Sequence, residues 1–214
     1  MSRLFPRATR APATDRPWRE VEYCVVDVEA TGLDLRRDDL ISFGSVVITA
    51  GRMRCETAWY TDVRPAQRVS ADAASVHGLR DQDLAAAPEL EDLVDGIAAQ
   101  LDGRVLVAHA AWVERAFLTR ALRSGGRRFA TPVVDTAALL RVAGLAPSGT
   151  GYEPDIEEMA ERLGLCVHTP HHALGDALTT GEVFLAVVTR LERAVGARLT
   201  AEDLVDTSRR HSLT

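Results

Sequence analysis

The sequence predicts an α/β domain with a mixed five-stranded sheet flanked by helices. Three observations carry this. Five short runs are rich in apolar and β-branched residues, the first three follow one another at hairpin spacing, and from there strands alternate with segments of helical periodicity.

Residues 21–29 read as a buried central strand. Residues 40–49 form a second strand closed by an Ala50-Gly51 turn, and residues 54–63 form the third, completing a hairpin. Leu90, Leu93, Val94, Ile97 and Leu101 then recur at helical spacing behind Pro88. Residues 104–109 are a short buried strand. A helix follows over about 112–123 and stops at Gly125-Gly126. Residues 131–135 give the fifth strand, leading into a helix over 136–143. The stretch 143–153, rich in Gly, Pro and Ser, reads as a flexible loop. A short helix over 156–163 is stopped by Gly164, and a long one covers 174–195. The organisation expected is a flexible basic segment over 1–19, one domain over 20–198 and a polar tail over 199–214. No internal repeat or second domain is evident.

At 214 residues, 46% hydrophobic and 26% charged, the chain is long enough for a sizeable core and too apolar for disorder. No apolar run approaches the roughly 18 residues of a membrane span, and the first residues lack the apolar middle of a signal peptide. Three widely spaced cysteines, with no Cys-x-x-Cys pair, fit reduced thiols in a cytoplasmic protein. The net charge of −6 does not advertise a nucleic-acid binder. All 25 basic residues are arginines, a bias of composition rather than a sign of phosphate recognition. Arg3, Arg7, Arg10, Arg16 and Arg19 make the first segment basic, and it reads as a disordered tail rather than a nucleic-acid arm.

The chemistry is carried by acids and histidines spread over three distant segments. Asp27 and Glu29 close the first strand, and residues two apart on a strand share a face. Two carboxylates held together repel unless they are protonated or bridged by cations. A pair of divalent metals relieves this, and such a pair is well suited to phosphodiester cleavage. Glu114 follows the fourth strand, and His171 precedes Asp176 by five residues.

These segments resemble the DnaQ-like 3′–5′ exonucleases of the DEDDh type. The first, Val26-Asp27-Val28-Glu29-Ala30-Thr31-Gly32-Leu33, is close to the family's D-x-E-T-T-G-L. Residues 106–118, from Leu106 through His109 and Glu114 to Leu118, match VAHNAxFDxxFL, and His171-His172-Ala173-Leu174-Gly175-Asp176-Ala177 matches HxALxDA. Val76-His77-Gly78-Leu79 and Val133-Val134-Asp135-Thr136 match connecting text, so the resemblance covers roughly residues 20–190. It implies a ribonuclease-H-like sheet, with Asp27, Glu29, Glu114 and Asp176 as ligands of two Mg²⁺ or Mn²⁺ ions and His171 as general base. It also places Ala30, Thr31, Gly32, Leu33 and His77 against the terminal nucleotide.

The activity implied is release of nucleoside 5′-monophosphates from single-stranded 3′ ends, DNA favoured. An RNA-trimming enzyme and a catalytically impaired binding domain are the alternatives. A DNA polymerase is a candidate partner; no membrane is implied, and the oligomeric state is open. The family's tyrosine version has Tyr where this chain has His172, which makes His172 the competing candidate for the base. The departures are Glu114 for Asp, Val113 for Phe and Ala110 for Asn. Glutamate keeps the carboxylate but adds one methylene, about 1.5 Å of reach. His109 and Asp135 are expected to be structural, Trp112 to be core, and His77 either to touch nucleotide or to end a helix at Gly78.

Overall fold

A computed structural model describes residues 7–147, 151 and 153–212. The expected flexible loop over 143–153 therefore lies partly outside the described residues. The central sheet comprises β2 (Tyr23–Ala30), β3 (Leu40–Thr49), β4 (Arg52–Asp62), β5 (Val105–Ala108) and β7 (Val133–Asp135), in the order β4-β3-β2-β5-β7. β2, β3 and β4 are antiparallel neighbours; β2, β5 and β7 run parallel. A two-stranded parallel pair, β1 (Arg7–Ala8) with β6 (Arg127–Arg128), lies apart from it.

The strand period of two sorts β2 into two cores. Tyr23 and Val25 join Ile48, Val107, Phe184 and Val187 on one face, covered by α7 (Ala173–Val195). Cys24, Val26 and Val28 join Phe43, Ile97, Phe117 and Leu118 on the other. That second face is covered by α3 (Leu90–Leu101) and α4 (Trp112–Ser124). Asp27 and Glu29 continue the Tyr23–Val25 row and so face α7. The parallel strands run the same way, which gathers the loops after β2, β5 and β7 at one edge, the usual place for a site in such sheets. Around the first core lie α5 (Thr136–Val142) and α6 (Ile156–Arg162).

Several elements depart from expectation. Residues 7–20 are anchored rather than flexible. A 3₁₀ turn, Trp18–Glu20, buries Trp18 edge-on against Phe184 at 6.1 Å between centroids. Trp18 N–H donates to the Leu199 carbonyl, and Ala201 N–H donates to that of Arg16. The expected polar tail is α8 (Ala201–His211), opened by a Thr200–Asp203 capping box and burying Leu204 and Val205. The helix end offered at Gly78 is that of α1 (Ala71–His77), capped by Ser70, whose bounds the sequence reading did not give; the short α2 (Asp81–Leu84) was missed. Among the described residues no helix is long and apolar enough to cross a membrane, and all three cysteines are free thiols.

Candidate active site

Asp27 and Glu29 project from the carboxyl end of β2 toward the first turn of α7. That approach depends on Gly44, the β3 partner of Asp27. A Cβ at Gly44 would lie 2.2 Å from the Ala173 carbonyl carbon and the Leu174 nitrogen. With no side chain there, α7 sits directly on the strand and Asp176 reaches the pair. Asp27, Glu29 and Asp176 each offer an oxygen, all within 4.8 Å of one another.

The electrostatics are those of crowded, poorly hydrated acids. Burial pushes the Asp27 carboxyl well above its ordinary range, with Glu114, Glu29 and Asp176 adding to the effect. Burial, then Asp176, raises Glu29 to about 8. Asp176 rises to about 6, mainly through burial, against the lowering influence of His171. Glu114 is buried on α4 and is likewise pushed up by burial, with Asp135 and Glu29 contributing. It does not join the tight trio, yet its charge is felt by Asp27. Glu114 Oε2 and Asp176 Oδ1 are buried without a hydrogen-bond partner. Orphaned carboxylate oxygens are costly, and hard oxygen donors clustered in this way suit Mg²⁺ or Mn²⁺. The residues present fit divalent cations.

The histidines separate by their partners. His171 is exposed on a left-handed backbone (φ 56°), with Nε2 3.7 Å from Glu157 Oε1. His172 is the N-cap of α7: its Nδ1 accepts from Gly175 N–H at 3.4 Å, and its ring stacks on Tyr60. His109 is held at both ring nitrogens, Nδ1 by the Thr136 hydroxyl at 2.8 Å and Nε2 by the Pro154 carbonyl at 2.6 Å. Burial lowers its pKa. Asp135 caps α5 through Ala137 N–H and accepts from the Ser212 hydroxyl at 2.7 Å.

A cavity of about 490 Å³ opens beside Glu29, lined by Ala30, Gly32, Leu33, Val76 and His77 among others. Leu33 stands at its mouth, 88% exposed. His77 both ends α1 and lines this cavity, and its Nδ1 accepts from Leu79 N–H at 3.1 Å. Thr31 is not brought to the cavity: it is buried, donating to Asp38 and accepting from Asp39 N–H. Gly32 lines the cavity, and a Cβ there would also meet Asp38 Oδ2 at 2.5 Å. Trp112, expected in the core, is 42% exposed. Gly44 and Tyr60 were not singled out in the sequence, because only the strand register brings them to the site.

A family sequence model described as RNase_T exonuclease matches residues 24–184, and the chain belongs to that family. A DNA polymerase III subunit epsilon-like protein of Rhodobacter capsulatus is 30% identical over 192 residues, 88% of this chain. The DNA polymerase III subunit epsilon of Treponema pallidum is 27% identical over 169 residues, 78% of this chain and 77% of its own length. The chain spans only 27% of the Rhodobacter protein, and 14% of a PolC-type DNA polymerase III of Thermotoga maritima. Among solved structures, exonuclease X in complex with 5′ overhanging duplex DNA aligns with a TM-score of 0.66 at 21% identity. That alignment covers 87% of this chain and 99% of the other. E. coli exonuclease I in complex with a dT13 oligonucleotide aligns at 0.71 and 14%, over 82% of this chain and 43% of the other. The shared fold is the mixed sheet of ribonuclease-H-like exonucleases.

Proposed function

We propose that this chain is a metal-dependent 3′–5′ exonuclease acting on single-stranded ends, with DNA as the favoured substrate. The observation that carries this is the Asp27, Glu29 and Asp176 trio within 4.8 Å, backed by buried Glu114. Asp27, Glu29, Glu114 and Asp176 would hold the cations, Mg²⁺ or Mn²⁺. Such ions supply a nucleophilic water at neutral pH and stabilise charge on the leaving 3′-oxygen.

The side chains do the rest. His171 presents its ring to solvent beside the trio and takes the proton of the attacking water, a role suited to imidazole. His172, committed to capping α7, does not compete for it. The cavity beside Glu29 receives the terminal nucleotide, and Leu33 gives the unstacked base an apolar edge. Single strands are favoured because the terminal base must leave its stack to enter. Exonuclease I bound to an oligonucleotide and exonuclease X bound to overhanging DNA share this fold, which supports a DNA substrate. Relatives named as polymerase III epsilon subunits support a polymerase as partner.

Matched 3′-labelled DNA and RNA single strands, incubated with Mg²⁺ or Mn²⁺, test the reading. Faster release of nucleotide from DNA is expected. Preference for RNA would move the assignment to an RNA-trimming enzyme, and no release from either would indicate a binding domain.

A further inference from the structure

The sheet face that carries Asp27 and Glu29 extends two strands further. Gly44 pairs with Asp27 on one side and with Tyr60 on the other, while Ser42 pairs with Glu29 and Asp62. Directly paired residues share a face. Two rows therefore cross the three strands, Asp27–Gly44–Tyr60 and Glu29–Ser42–Asp62. Gly44 leaves a seat in the first row, and the first turn of α7 lies in it. Tyr60, on the outermost strand, is the wall of that seat.

The wall is in contact. The Tyr60 ring stacks on His172, with centroids 4.3 Å apart and planes 21° from parallel. Its hydroxyl donates to Asp62 Oδ1 at 2.5 Å, which fixes the ring on the strand. Because His172 covers one face of the ring, this face is not free to stack on a nucleotide. The segment it holds needs holding: His171 sits in the left-handed region, which a side-chain-bearing residue adopts only where its surroundings impose it. His172 then opens α7, and its carbonyl accepts the Asp176 N–H at 2.9 Å. The stack is thus one contact away from both the candidate base and the candidate ligand.

We propose that Tyr60 is a positioning residue: by clamping His172 it fixes the amino end of α7, setting Asp176 against Asp27 and Glu29 and presenting His171. The inference rests on the function proposed above for this site. It adds a residue of β4 that touches none of the reacting atoms.

Three single variants and one double variant test it, with readouts that include two independent of turnover. Tyr60→Leu removes the stack, Tyr60→Phe keeps the ring and loses only the hydroxyl, and His172→Asn keeps a competent N-cap without a ring. In metal-free protein, Tyr60→Leu should lower hydrogen-exchange protection of the Asp176 amide, and Tyr60→Phe should not. Calorimetric Mn²⁺ affinity should fall about tenfold in Tyr60→Leu, the low end for residues that orient metal ligands. On labelled strands kcat should fall roughly 10–100-fold, with KM unchanged. His172→Asn should reproduce these losses, and the double variant should be no worse than either single one. Wild-type protection and Mn²⁺ affinity in Tyr60→Leu would overturn the proposal. So would losses that multiply in the double variant, or equal damage from Phe and Leu. If the wild-type chain shortens no strand, the exonuclease reading fails, while exchange and Mn²⁺ binding still decide the clamp.

Discussion

Glu29 should make the metal-free protein less stable as pH rises from 5 to 7. Its folded-state value is near 8, against an ordinary value of 4.5. The folded form therefore binds the proton more tightly than the unfolded chain. That stabilisation is complete below about pH 4.5 and is lost as pH climbs toward 8. Each pH unit inside the window is worth about 1.4 kcal/mol, so pH 5 to pH 7 spans about 2 kcal/mol after screening on the side open to water. For a domain of this size that is about 4–8 °C in Tm. Asp176, raised to about 6, acts in the same direction lower in the range. The assay is calorimetric melting in chelator at pH 5, 6 and 7 for wild type and Glu29→Gln, whose difference isolates this one carboxyl. The variant should match wild type near pH 5 and exceed it at pH 7. Mn²⁺ at about 100 times its Kd should then restore about 2.7 kcal/mol to wild type and much less to the variant. A difference that stays flat from pH 5 to pH 7 would refute the reasoning, because Glu29 would then be ordinarily hydrated.

Three further substitutions bear on the site. Glu114→Gln removes a buried carboxyl whose pKa burial raises, so metal-free stability at pH 7 should rise while Mn²⁺ affinity drops roughly 10–100-fold; unchanged affinity by calorimetry would make Glu114 a bystander. His171→Ala should cost about 10²–10⁴ in turnover with Mn²⁺ binding nearly intact, and a mild effect would remove His171 from the role of base. Ala110 occupies a left-handed backbone (φ 51°) that Asn tolerates better. Ala110→Asn, the residue of the DEDDh pattern, should therefore gain about 1 kcal/mol, or about 2–4 °C in Tm.

How much of this was legible in the sequence depends on how far the information travels along the chain. The five strands of the central sheet were readable because apolar runs and turn residues are local signals, and β3 runs over residues 40–49 as expected. Asp27 and Glu29 were readable because strand alternation alone puts them side by side. Asp176 and Glu114 were found through the DEDDh pattern, since no local rule joins α4 or α7 to β2. The seat at Gly44 and its wall at Tyr60 were invisible, because they follow from the register of three strands. Trp112 was expected in the core, but it lies two helical positions from Glu114, and Glu114 is the buried side of that helix. At the chain ends the signals were sparse rather than absent. Trp18 was the one large apolar residue of the stretch 6–20, among Arg and Pro. Ala201, Leu204, Val205 and Ser208 carry the helical spacing of α8 behind its capping box.

The most direct measurement is the direction and metal requirement of strand shortening. A single strand labelled at its 5′ end should give a ladder of stepwise shorter products with Mn²⁺ or Mg²⁺, and nucleoside 5′-monophosphates should be released. Chelator should stop the reaction, and Asp27→Asn, which neutralises the carboxylate at the centre of the trio, should do the same. Shortening that persists in chelator, proceeds from the 5′ end, or survives in Asp27→Asn would contradict the assignment of a metal-dependent 3′–5′ exonuclease.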